Sequence, residues 1–155
     1  MPGEEREVVQ TLLEEFPQER TWLLPALWRV VEEVGWLNPD RTEWVSEYLK
    51  VPYAEVYGVA SFYSLFAWEP QSETTVHVCT DVICALKSGS QIYEDLRRTS
   101  ENGGFSVSGV SCLGRCDMAP ACLINYEAQG SITAATVLNK VQQIALDKSG
   151  GGAKV

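Results

Sequence analysis

Apolar residues recur at helical spacing through the first two-fifths of the chain. The earliest apolar stripe, which predicts a helix of about four turns, consists of Val8, Val9, Leu12, Leu13 and Phe16. A second stripe predicts a helix with Thr21 as its N-cap, Pro25 in its first turn and Gly35 at its end. The apolar positions of this second helix are Leu23, Leu24, Leu27, Val30, Val31 and Val34.

Two more helices are predicted before residue 70. The third carries Trp44, Val45, Tyr48 and Leu49, and the fourth follows Pro52 with Val56, Val59, Ala60, Phe62 and Tyr63. Large rings at helical spacing usually pack, so the tryptophans here are interpreted as core or interface anchors. The candidates for anchoring a partner are Trp22, Trp28, Trp36 and Trp68.

The hydrophobic period changes near residue 70, where helical spacing gives way to alternation in the strand Thr75–Cys79. Beyond it the pattern predicts helices at Ser88–Arg98 and Thr133–Leu146 and strands at Phe105–Val110 and Cys122–Asn125. Strands that alternate with helices favour a small α/β sandwich. The predicted fold class is therefore α+β, with a helical domain at 1–70, an α/β domain at 71–148 and a disordered tail at 149–155.

The net negative charge of the chain argues against partners that are themselves strongly anionic. The chain has 155 residues, a formal net charge of −9 and a pI near 4.6. Nucleic-acid binding depends on Lys and Arg neutralising phosphates, so neither nucleic acid nor an anionic membrane surface is an expected partner. No stretch is apolar enough to insert in a bilayer, and the acidic start is unlike a secretory signal. We therefore expect a cytoplasmic protein, in which clustered cysteines bind metal or do redox work.

Four of the five cysteines form two close pairs, each directly after a predicted strand. Cys79 and Cys84 form C-x4-C, and Cys112 and Cys116 form C-x3-C with Gly114 between them. A 2Fe-2S cluster is held by four thiolates, two on each iron, on backbone that can bend around it. The spacing favours one such cluster, with these four cysteines as the metal ligands.

Other uses of the cysteines fit the sequence less well. Structural zinc prefers C-x2-C knuckles, often with histidine, and stays a minor alternative, as do disulfides or inert thiols. A Rieske centre needs two histidines, whereas the chain has only His77, and neither a C-x-x-C-H haem motif nor a C-x-x-C dithiol occurs. Cys122 lies in an apolar strand and is interpreted as a small hydrophobic residue.

No catalytic residue is predicted. His77 is interpreted as a satisfied or partly exposed strand residue, and no nucleophile–base pair is recognisable without it. The sequence also lacks the glycine-rich fingerprints of dinucleotide and nucleotide-phosphate binding. If NAD(P)H takes part, another chain is expected to bind it.

Three segments together resemble a known family: C-x4-C at Cys79–Cys84, CLGRCDMAP at 112–120 and VYGVASFY at 56–63. The chain resembles the small 2Fe-2S subunit of NADH dehydrogenases of the complex I type, shared with NAD-linked hydrogenases and formate dehydrogenases. The resemblance implies a helical N-terminal part, a thioredoxin-like domain and ligand roles for Cys79, Cys84, Cys112 and Cys116. It also implies a larger partner subunit that carries flavin (FMN), an iron–sulfur centre and the NAD(P) site.

The first ligand loop departs from the family's usual small residues, because Thr80, Asp81, Val82 and Ile83 stand between its cysteines. A carboxylate near the sulfurs could lower the reduction potential, since net charge is one of its determinants. The leading hypothesis is an electron-transfer subunit of a multi-subunit NAD(P)-linked oxidoreductase, not catalytic on its own. The alternatives are a free-standing ferredoxin-like carrier and, less favoured, a zinc-stabilised interaction module.

Overall fold

The computed structural model describes residues 2–101 and 103–150. The chain divides into two compact units, Met1–Pro70 and Gln71–Val155. Helices form the first unit, and helices with a four-stranded sheet form the second. The α+β fold class predicted from the sequence is confirmed.

The first unit contains four α-helices, α1 (Pro2–Leu13), α2 (Leu23–Val34), α3 (Pro39–Leu49) and α4 (Tyr53–Phe62). A short 3-10 helix, Arg20–Trp22, precedes α2. The helices bury one continuous apolar cluster that includes Val9, Leu13, Leu27, Val30, Leu37, Val45, Leu49, Val56 and Ala60. Burial of these stripes, more than intrinsic helix propensity, stabilises helices of this length.

The start of α2 differs from the prediction. Thr21 lies in the 3-10 turn, and Trp22 is the N-cap of α2. With Thr21 as the cap, Pro25 would have to donate an N–H to the Thr21 carbonyl, which proline cannot do. Starting at Leu23 places Pro25 third in the helix, where no donor is needed, and Gly35 ends α2 at φ +82° as predicted.

The first helix is shorter at its C-terminal end than the apolar stripe predicts. It ends at Leu13, while Phe16 lies beyond it and still packs against the core of this unit. A residue can therefore continue an apolar stripe in sequence without continuing the helix.

The tryptophans of this unit mostly pack. Trp28 meets Phe66 edge-on with ring centroids 4.9 Å apart, and Trp36 lies beneath the Arg41 guanidinium at 4.3 Å. Trp22 remains exposed. Trp44 and Trp68 also pack against the buried cluster of this unit. The packing interpretation is thus confirmed for Trp28 and Trp44, and a role in anchoring a partner stays a prediction.

The second unit is built on a sheet of strand order β2-β1-β3-β4. Its strands are β1 (Thr75–Cys79), β2 (Ser106–Val110), β3 (Cys122–Ile124) and β4 (Glu127–Gln129). Strands β1 and β2 are parallel, whereas β3 is antiparallel to both β1 and β4. The parallel pair requires a crossover connection, and two helices supply it.

The crossover helices are α5 (Val82–Leu86) and α6 (Gly89–Ser100), and α7 (Ala134–Gly150) closes the unit. Side chains of α6 and α7 share one buried cluster with the sheet, formed by Val76, Val78, Ile92, Leu96, Cys122, Ile124, Val137 and Val141. Alternate residues of β1 supply this cluster, in keeping with the two-residue period of a strand.

One α-helix and one strand of the second unit were not predicted. Helix α5 has five residues and leaves Val82 and Leu86 exposed, so it carries no amphipathic stripe. Strand β4 has three residues of mixed polarity, and its pairing with β3 defines it.

The end of the chain differs in part from the prediction of a tail at 149–155. Helix α7 continues to Gly150, so the first two residues of that predicted tail are helical, and 151–155 lie outside the described residues. In the described part of the chain, no helix has both the length and the apolar character needed to cross a bilayer.

Candidate metal centre

The cysteine-bearing loops leave the sheet at the same edge. Because β1 and β2 are parallel and Cys79 pairs with Val110, their carboxyl ends lie side by side. The loop with Cys84 leaves β1 there, and the loop with Cys112 leaves β2 there. Ligand sites of α/β folds form at this edge, outside the carboxyl ends of the strands.

Backbone hydrogen bonds tie the segments together at this edge. The Thr80 N–H donates to the Val110 carbonyl at 3.0 Å, and the Cys79 N–H donates to the Ala121 carbonyl at 3.1 Å. The second bond brings in the chain that returns from Cys116 to β3. Three chain segments that are distant in sequence are therefore fixed around one point.

All four predicted ligands line one cavity of about 140 Å³ at this edge. Cys79 and Cys84 are each 2% exposed and pack with Ala119 and Ala121. Cys112 and Cys116 are both exposed. The cavity thus has a buried inner pair of thiols, Cys79 and Cys84, and an exposed outer pair, Cys112 and Cys116.

The outer pair is held by its own short loop. The Cys112 and Cys116 sulfurs are 3.7 Å apart, and the Gly114 N–H donates to the Cys112 sulfur at 3.4 Å. Gly114 has φ +70°, a left-handed conformation that costs glycine little. The loop therefore turns one backbone donor toward its sulfur, as ligand loops of iron–sulfur proteins do.

The thiols raise one another's pKa. Burial raises the pKa of Cys84, and its hydrogen bond with Cys79 adds to this, while a backbone hydrogen bond from Ala121 opposes it. The pKa of Cys116 is raised first by its hydrogen bond with Cys112 and by that neighbour's charge. Four thiolates this close repel each other, so deprotonating the set requires a compensating cation. Metal ions supply such compensation when thiolates bind them.

The remaining wall of the cavity comes from the first cysteine loop. Asp81, Val82 and Ile83 line it beside the four sulfurs. Asp81 caps α5, because its side chain accepts from the Val82 N–H at 2.8 Å. Three of the four residues by which this loop departs from the resembled family therefore line the cavity itself.

Two glycines support the cysteine loops, and sequence reasoning missed both. A β-carbon at Gly89, the first residue of α6, would lie 2.8 Å from the carbonyl oxygens of Cys79 and Cys84. A β-carbon at Gly130 would overlap the β-carbon of Met118, beside the second loop. A glycine at a loop–helix junction is too common to single out without these contacts.

The fifth cysteine and the only histidine lie outside the cavity lining. Cys122 is fully buried among apolar side chains, which raises the pKa of its thiol to about 12, as its interpretation as a small hydrophobic residue requires. His77 is buried, so of its two interpretations, satisfied or partly exposed, the second is wrong and the first holds for one ring nitrogen. Its Nδ1 pairs with the Ser108 hydroxyl at 2.7 Å, its Nε2 has no partner among the described residues, and burial lowers its pKa.

Replacing Cys122 by serine should separate this thiol from the other four. Its 0% exposure means that the serine hydroxyl would be buried among apolar groups, which costs about 1–3 kcal/mol without a partner. We expect the free energy of unfolding of the purified protein to fall by about that amount while iron content and visible spectrum stay unchanged. Loss of iron in the Cys122→Ser protein would show that the thiol contributes to the metal centre.

Among residues 2–101 and 103–150, no three His, Cys, Asp or Glu side chains are arranged to hold one metal ion. The thiols contact each other within each pair. The Cys112 and Cys116 sulfurs are 3.7 Å apart, and Cys84 is hydrogen-bonded to Cys79.

The family profile of the thioredoxin-like 2Fe-2S ferredoxins matches residues 9–145. The chain belongs to this family. As a thioredoxin-like 2Fe-2S ferredoxin, it carries one 2Fe-2S cluster. The family resemblance and the single cluster expected from the cysteine pattern are thereby confirmed.

Named relatives of this ferredoxin are subunits of larger enzymes. The NADP-reducing hydrogenase subunit HndA of Solidesulfovibrio fructosivorans is 29% identical over 136 residues, covering 83% of this chain and 79% of the relative. The NADH-quinone oxidoreductase subunit 2 of Thermus thermophilus is 35% identical over 132 residues, covering 76% and 73%. A relative in Mycobacterium tuberculosis, likewise named as part of an NADH-quinone oxidoreductase, is 32% identical over 120 residues, covering 72% of this chain and 48% of the relative.

A solved structure has the same fold. A chain of the NAD+-reducing NiFe-hydrogenase in its H2-reduced state superposes with a TM-score of 0.60 at 22% sequence identity. The superposition covers 82% of the ferredoxin but 23% of the hydrogenase chain. The ferredoxin therefore corresponds to about a quarter of that polypeptide.

Proposed function

We propose that the protein is an electron-transfer subunit of a multi-subunit NAD(P)-linked oxidoreductase, with its cluster held by Cys79, Cys84, Cys112 and Cys116. The convergence of these four sulfurs on one cavity is the observation that carries the proposal. They come from two loops, two sulfurs from each, which fits two irons that share four thiolates. The C-x4-C and C-x3-C spacings are wider than the C-x2-C knuckles that structural zinc prefers, which favours the cluster over zinc.

The donor set fits a 2Fe-2S cluster chemically. The inner pair lies among Ala119 and Ala121, out of water, and the outer pair accepts a backbone hydrogen bond through Cys112. Thiolates in this setting are soft ligands that favour iron–sulfur centres. The cluster supplies a one-electron redox couple when bound.

The chain's own residues determine how electrons reach that couple. Cys112 and Cys116 are exposed, so the outer side of the cavity opens to the molecular surface. The buried inner pair and the apolar residues behind it limit water on the other side. A partner could therefore exchange electrons by docking over the outer pair, with no side chain of this protein making or breaking a bond.

The partner in this proposal is a larger subunit that carries flavin, an iron–sulfur centre and the NAD(P) site, within a hetero-oligomeric complex. Two observations support it. The relatives are named as subunits of hydrogenase and NADH-quinone oxidoreductase complexes. The chain itself has neither of the glycine-rich nucleotide fingerprints.

In this proposal residues 1–70 are a helical domain and residues 71–148 the cluster domain. The division of the chain into two compact units supports this assignment. The protein would work in the cytoplasm, where reducing conditions keep thiols available for iron. It has no catalytic residue in this proposal and is not an enzyme on its own.

Anaerobic purification tests the cluster part of the proposal. We expect two irons and two sulfides per chain, visible absorption bands and a single S = 1/2 EPR signal after one-electron reduction. A colourless protein with one zinc per chain would contradict the proposal.

Co-expression with the neighbouring reading frames, followed by size-exclusion chromatography, tests the partner part of the proposal. Co-elution with a flavoprotein is expected. Elution alone, with a full cluster, would indicate a free carrier.

A further inference from the structure

Asp81 places a carboxylate beside the four sulfurs. It is one of the residues lining the cavity, together with Cys79, Cys84, Cys112 and Cys116. Its hydrogen bond to the Val82 N–H, 2.8 Å long, fixes it at the start of α5. The carboxylate is thus held at the cavity wall, although its own residue is exposed.

Asp81 shares this cavity with the outer pair of thiols. Cys112 and Cys116, which belong to the other cysteine loop, line the same cavity as Asp81. The cationic side chain of that loop, Arg115, pairs with Asp117 at 3.5 Å. Asp117 therefore already offsets the positive charge on that loop.

We propose that Asp81 lowers the reduction potential of the centre through its negative charge, independently of its capping hydrogen bond. Reduction adds one negative charge to a cavity that already contains four thiolates, and a neighbouring carboxylate opposes that addition. Net charge is one of the protein's means of setting such potentials. The inference rests on the proposed function, because it concerns the cluster held by the four cysteines.

The Asp81→Asn protein tests the inference. Asparagine keeps an oxygen that can accept from the Val82 N–H, so the cap survives while the charge is removed. We expect its equilibrium constant for reduction to rise about threefold, or ~28 mV at 59 mV per tenfold for a one-electron couple. The midpoint potential is read from a dye-mediated redox titration of the purified cluster-containing protein, followed by EPR.

Two matched variants separate charge from other effects. Asp81→Glu keeps the charge and alters the cap, so its potential should stay near that of the parent protein. Asp95→Asn makes the same chemical change on α6, away from the cavity, and should leave the potential unchanged. Because Asp81 is exposed, the Asp81→Asn shift should also shrink as ionic strength rises.

The midpoint potentials of the three variants decide whether the charge of Asp81 has this role. An unchanged potential in Asp81→Asn, or an equal shift in Asp81→Glu or Asp95→Asn, would overturn the inference. If the parent protein has no iron–sulfur spectrum, the proposed function fails before Asp81 is tested. A normal spectrum with an unchanged Asp81→Asn potential refutes only the role of Asp81.

Discussion

The Cys84→Ala protein is expected to purify almost free of iron, whereas the Cys112→Ala protein keeps part of its cluster. The two thiols differ in their surroundings, because Cys84 is 2% exposed and Cys112 is exposed. At an exposed position, water or an added thiol can take the vacant place on iron. At a buried position surrounded by apolar side chains, no such replacement can enter, and the metal is left one ligand short.

This difference can be measured through rescue. Iron and sulfide per chain are determined after anaerobic purification with and without a small thiol such as 2-mercaptoethanol. We expect the thiol to raise the iron content of Cys112→Ala and to leave that of Cys84→Ala unchanged. Cys122→Ala is the matched control, since it removes a fifth thiol that lies outside the cavity lining.

Equal loss in the two variants, or equal rescue, would show that the inner and outer pairs do not differ in access. Full iron retention in both would contradict the ligand assignment itself. The Cys122→Ala control guards against a third explanation, in which any loss of a cysteine destabilises the cluster domain enough to release iron.

The Gly89→Ala protein is expected to lose both stability and iron. The added methyl group would lie 2.8 Å from the carbonyl oxygens of Cys79 and Cys84, which are backbone atoms of the first cysteine loop. Either α6 or that loop must move, and overpacking of this kind costs about 1–3 kcal/mol. Since the loop carries the inner pair of thiols, the displacement should reach the cluster.

A neighbouring substitution provides the control for this prediction. Ser90→Ala introduces the same residue one position later in α6, at an exposed site. Alanine is the best helix former, so propensity alone would make both variants more stable. A lower free energy of unfolding and lower iron content in Gly89→Ala, with neither in Ser90→Ala, would therefore identify the contact with the cysteine loop as the cause. Parent-like behaviour of Gly89→Ala would refute the supporting role of this glycine.

Much of the fold follows from local sequence pattern. The strand Thr75–Cys79 was predicted at its observed bounds because its alternation is strong. Gly35 was recognised as the end of α2 because glycine readily adopts the left-handed conformation found there. Local rules failed where a residue had two possible roles. Thr21 is an acceptable N-cap by type, and the position of Pro25 moved the start of the helix to Leu23.

The short elements around the cysteines could not be predicted in the same way. Helix α5 has only five residues, and Val82 and Leu86 are exposed on it, so no buried face marks it in the sequence. Strand β4 is recognisable only through its pairing with β3. Elements of this size depend on long-range contacts, because a few residues cannot offset their own ordering entropy.

The sequence by itself determined the chemistry of this protein: four thiols in two close pairs, each pair following a strand, together with too little positive charge for nucleic acid. The tertiary structure alone decided which thiols are buried, that Asp81 faces the cavity and that Gly89 must be a glycine. The physical reason is that residue type and spacing are local properties of the chain. Burial, electrostatic neighbours and close backbone contacts arise only when β1, β2 and the returning segment before β3 meet at one edge of the sheet.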